Sequence, residues 1–182
     1  LQLALPGAGA AAAPVALGAV RFEGRTHSYA VPLGSRPVNA RLENDIHLLA
    51  YSLALPGEAG AAARLTLYWQ TSQPITTSYK VFVHVLDGEG QVVAQADSVP
   101  ADWAAPTDTW LPGEVIGDVH QLRLPASGQF QLQVGLYDPD TGKRLAGEDS
   151  QQQALNDGAI SLGAISLPAP ARSLPARLLH LP

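Results

Sequence analysis

Between Arg64 and Leu145 apolar and polar residues alternate in short runs separated by turns. Leu65, Leu67 and Trp69 alternate with Thr66, Tyr68 and Gln70. Val81, Val83 and Val85 alternate with Phe82, His84 and Leu86, and Phe130, Leu132, Val134 and Leu136 with Gln131, Gln133, Gly135 and Tyr137. Successive side chains of an extended chain point to opposite sides, so each run offers one face for burial and one for water or a second layer. Runs of this kind predict an all-β fold, an antiparallel two-sheet sandwich of immunoglobulin-like or jelly-roll-like form. Such a scaffold more often binds or spaces other molecules than reacts with them.

The turns between the runs are written in residues that bend the chain. Asp87-Gly88-Glu89-Gly90 joins Tyr79–Leu86 to Gln91–Ala96 as a hairpin, and Asp138-Pro139-Asp140-Thr141-Gly142 returns Gln129–Tyr137 towards Lys143–Ala146. Further strands are expected at Val15–Phe22, Ser28–Leu33, Ile46–Ala54, Glu114–Leu124 and Ala159–Leu167. Ile46–Ala54 is apolar on both faces, which predicts cover on both sides. Asp97–Pro112 and Gly147–Asn156 read as loops. Residues 1–14 form an Ala/Gly/Pro leader, 15–167 the sandwich, and 168–182 an extended tail. Proline recurs at 168, 170, 175 and 182 in that tail, which keeps it out of a central strand. Its Leu174, Leu178, Leu179 and Leu181 are too apolar for a free linker and are expected to pack on this domain, a neighbouring chain or a membrane.

Composition removes several function classes. The chain has 182 residues, a size that suits one domain, and a net charge of -5, which argues against a nucleic-acid partner. It contains no cysteine, so disulfides, thiolate metal sites and cysteine nucleophiles are excluded. Charged residues make up 15% of the chain, below the usual intracellular share of about 25%. No apolar run approaches the ~18 residues of a membrane helix, so a membrane is expected only through a segment upstream of Leu1. With no methionine at position 1, the chain reads as processed or as part of a longer one.

Five segments carry a family resemblance. They are Leu65-Thr66-Leu67-Tyr68-Trp69-Gln70, the stretch Tyr79–Asp87, Val93-Ala94-Gln95-Ala96-Asp97, Trp110-Leu111-Pro112-Gly113-Glu114-Val115, and the stretch Val134–Gly142. In this order, over residues 48–165, they resemble the C-terminal extracytoplasmic β-domain of bacterial polytopic glycosyltransferases of the dolichyl-phosphate-mannose mannosyltransferase type, and of related envelope proteins. The resemblance implies a β-sandwich outside the cytoplasm, at the cell surface or secreted. It transfers no catalytic residue, because sugar transfer in such proteins belongs to the membrane portion.

The chemistry-bearing residues are few. Trp103 and Trp110 share the longest loop with Asp102 and Asp108. Indole faces stack on the C–H faces of sugars while carboxylates bind hydroxyls, so these four are the candidate carbohydrate site; the competing reading folds both indoles over the core. Asp138 and Asp140 stand at alternate positions, as at the start of a calcium loop, although an Asp-capped turn explains the same residues. Gln129, Gln131 and Gln133 mark a solvated sheet face whose amides can also bind sugar hydroxyls. Gly7-Ala8-Gly9-Ala10-Ala11-Ala12 fits a dinucleotide fingerprint in letters only, since Pro6 and Pro14 deny it a strand and a helix. The five histidines lack metal-ligand spacing, and no nucleophile motif is present.

The expectation is a non-catalytic extracytoplasmic module for structure or interaction, without a cofactor unless calcium. Its expected partners are other protein chains, copies of itself joined through the terminal segments included. The alternative is a carbohydrate-binding accessory domain of an envelope glycosyltransferase, with glycans as partner.

Overall fold

The computed structural model describes residues 24–55 and 62–169. The leader, the expected strand at 15–22 and the tail leucines all lie outside the described residues. Among the described residues there are nine strands: β1 (Arg36–Leu42), β2 (Ile46–Ala54), β3 (Ala63–Thr71), β4 (Lys80–Leu86), β5 (Val92–Ser98), β6 (Val115–Leu122), β7 (Gly128–Tyr137), β8 (Gly147–Glu148) and β9 (Ile160–Leu167). They form a five-stranded sheet in the order β6-β3-β2-β1-β8 and a four-stranded sheet in the order β5-β4-β7-β9. Every pairing is antiparallel. The fold is therefore an all-β sandwich, as the alternation requires.

The alternating sets meet between the sheets. Leu65, Leu67 and Trp69 of β3 are fully buried, as are Val81, Val83 and Val85 of β4. Leu132, Val134 and Leu136 of β7 join them in one continuous core. Each large aliphatic side chain removed from water contributes about 1.5–3 kcal/mol, so these central strands hold the sandwich closed. Tyr51 crosses the core and donates its hydroxyl proton to the Leu162 carbonyl of the opposite sheet, at 2.8 Å. A register shift between Leu48 and Ala50 accompanies the burial of consecutive Ala50 and Tyr51.

Four local features differ from expectation. Ser28–Leu33 is not a strand; the Ser28 carbonyl accepts one bond, from the Val115 N–H. β1 was hidden because Pro37 and Asn39 interrupt its alternation, and Asn39 takes φ +57° where the register shifts. The stretch Gly147–Asn156 contains β8, which pairs Glu148 with Arg41 and Gly147 with Leu42. That approach requires glycine, because a Cβ at 147 would overlap the Arg41 carbonyl oxygen. Ile46–Ala54 is covered fully on one side only: Leu49 is half-exposed on the other, while Leu53, past the register shift, packs on the core on the side of Tyr51.

Candidate functional site

β6 is an edge strand, and its inward row reads Ile116, Asp118, His120, Leu122. Two ionisable groups thus stand at core positions; Asp118 has no exposed surface and His120 only 3%. A buried carboxylate is tolerated only when its lone pairs are used. Asp118 Oδ2 accepts from His120 Nε2 at 2.7 Å and lies 3.4 Å from Trp69 Nε1. Its Oδ1 accepts the backbone N–H of Ala101 at 2.8 Å. Inward-facing charge on an edge strand also disfavours pairing with a foreign strand.

The Ala101 contact fixes the start of an unusual turn. Ala101, Asp102 and Trp103 all take left-handed backbone, with φ of 54°, 50° and 71°. None is glycine, and left-handed backbone costs about 1–2 kcal/mol for each ordinary residue. The turn is closed by the Trp103 N–H on the Val99 carbonyl at 3.3 Å and the Ala104 N–H on the Ala101 carbonyl at 3.0 Å. At its crown Trp103 is 66% exposed.

The rest of the loop is firmly held. Trp110 is 3% exposed, and its Nε1–H donates to the Ala105 carbonyl at 2.8 Å. Buried Thr107 donates to the Thr77 carbonyl and accepts the Tyr79 N–H. Glu114 closes the loop: it is 1% exposed and accepts from Arg25, His27 and the Leu111 N–H. Burial alone would raise its pKa, but Arg25, the Leu111 N–H and His27 outweigh burial and hold the carboxyl below the usual carboxylate range.

The four residues of the candidate carbohydrate site separate in the structure. Trp103 and Asp102 stand together, exposed, on the left-handed turn. Asp108 is exposed in the short 3-10 turn Thr107–Thr109, and the Trp110 ring belongs to the core. Asp138 Oδ1 accepts the N–H of Asp140 at 2.8 Å and lies 3.4 Å from that of Thr141, the bonding of an Asp-capped turn. Among the described residues no group of three or more His, Cys, Asp or Glu is placed to hold a metal. Asp118 and His120 were not singled out from sequence, and Glu114 only as a carboxylate near the loop tryptophans in the Trp110–Val115 segment; the signal for the first two was polar residues at the inward positions of a strand.

No protein-family model matches the chain, and no curated protein matches it.

Proposed function

We propose that this β-sandwich is a non-catalytic extracytoplasmic interaction module that contacts another protein chain through the Trp103 turn. The observation that carries the reading is the 66% exposed indole on three consecutive left-handed residues. Tryptophan is enriched among the few residues that dominate protein interfaces, because one side chain removes a large apolar area from water at small entropic cost. The buried ionisable groups support a scaffold rather than a reactive centre: Asp118, His120 and Glu114 are engaged in bonds that fix backbone and neighbouring side chains. The low charged content and the five family-like segments favour a place outside the cytoplasm.

A photoreactive benzophenone side chain in place of Trp103 is expected to form a protein adduct in an envelope fraction of the source organism. Unlabelled wild-type chain should suppress that adduct, and Trp103→Gly should not. No adduct above that of the same label at outward-facing Gln121, or equal suppression by Trp103→Gly, would remove the reading.

A further inference from the structure

The four-stranded sheet has an outer face that the core does not use. On β4 the inward valines leave Lys80, Phe82, His84 and Leu86 pointing out. Strand register then assembles a row that no single segment contains. His84 pairs across to Gln95 of β5 on one side and to Gln133 of β7 on the other. Gln133 in turn pairs with Ser161 of β9. Gln95, His84, Gln133 and Ser161 therefore form a polar line across all four strands, at right angles to them. Gln95 and Ser161 are exposed, while His84 and Gln133 are half-buried.

Beside this line, at His84, lies a cleft of about 330 Å³ lined by Phe82, His84, Asp97, Tyr137, Gly142 and Arg144. Phe82 and His84 form its aromatic side, with ring centroids 5.0 Å apart. The Arg144 guanidinium lies 4.1 Å from the centre of the Phe82 ring and donates to Asp157 at 2.7 Å. Burial, then the Arg144 charge, pushes the His84 imidazole below its usual range against the pull of Asp97. A neutral imidazole offers one donor and one acceptor, the same pair a hydroxyl offers. Burial, the Asp97 charge and a hydrogen bond to Asp97 raise the Tyr137 phenol above its ordinary value, so it remains a protonated donor.

We propose that this face binds a neutral, linear polysaccharide lying across the strands, with the Gln95–His84–Gln133–Ser161 row supplying its hydroxyl contacts. Three properties select that ligand class. Amide, imidazole and hydroxyl groups both donate and accept, which matches a polyol and does not favour an anion. The charges around the row compensate, Lys80 and Arg144 against Asp97 and Asp157, so the face attracts neither a polyanion nor a polycation. Adjacent strands lie about 4.8 Å apart, close to the length of one pyranose unit, so successive strands can address successive sugars. This surface is separate in residues from the Trp103 turn, and the two proposals stand or fall independently.

The test is affinity electrophoresis of the full chain in native gels containing xylan, mannan or hydroxyethyl cellulose, with polygalacturonate as the charged control. At least one neutral polymer should retard the wild-type chain more than polygalacturonate does. Gln95→Ala and Gln133→Ala should each weaken that association about tenfold, the loss of a specific hydrogen bond, and Gln121→Ala on the other sheet should leave it unchanged. Neither glutamine contributes to the core, so both variants retain the fold. Retardation by none of the neutral polymers, equal retardation of both glutamine variants and wild type, or stronger retardation by polygalacturonate would each overturn the proposal.

Discussion

Asp118→Ala is expected to destabilise the fold by about 3–5 kcal/mol, since three groups that bond to the carboxylate lose their acceptor at about 1–3 kcal/mol each. The substitution leaves His120 Nε2, the Trp69 indole N–H and the Ala101 N–H without their carboxylate acceptor. Its second consequence is local. The Ala101 bond is the fixed point from which the left-handed turn departs, so without it the strained residues can relax. Urea unfolding should show a lower midpoint with an unchanged slope, and Trp103 should lose its fixed environment. Asp118→Asn keeps an acceptor for the Ala101 N–H and is expected to fall between the two. A loss below about 1 kcal/mol in the alanine variant would mean that the carboxylate does not organise this edge.

Gly135→Ala is expected to cost about 3 kcal/mol, the upper part of the usual range for overpacking. Gly135 faces Phe82 across β4 and β7, and the ring lies against its bare backbone. A Cβ there would stand 2.5 Å from the ring carbons and 2.6 Å from the Gly158 carbonyl oxygen. Relief is blocked on both sides. Moving the ring displaces the Arg144 guanidinium packed on it. Gly158, at φ +61°, is itself packed so closely on Leu145 that a Cβ there would overlap the Leu145 carbonyl oxygen. One added methyl should therefore disturb both the β7 strand and the arm that returns over the sheet face. Denaturant unfolding measures the loss, and a stability equal to wild type would contradict the packing described here.

Strands β3, β4 and β7 were legible because each sends an unbroken alternate set of apolar residues into the core. β1 was not, because Pro37 and the left-handed Asn39 break the period, and two-residue β8 is too short to have one. The loop after Asp97 was recognised as a loop, but its strained crown was not. Left-handed backbone usually announces itself with glycine, and Ala101, Asp102 and Trp103 give no such notice. Exposure divided the two loop tryptophans by neighbours distant in sequence: Trp110 joins the core, whereas Trp103 is raised above it. The sheet-face row was legible only as the glutamines of β7. Its other members are set by register across three strand pairs, which no single stretch of sequence contains.

This fold buries two indoles, Trp69 and Trp110, and presents the third, Trp103, on a turn anchored at Ala101 by Asp118. Iodide quenching of tryptophan emission tests that directly, because iodide reaches only groups at the surface. The wild-type chain should show one quenchable component that Trp103→Phe removes, leaving emission resistant to iodide. Undiminished quenching in Trp103→Phe, or none in the wild type, would contradict it.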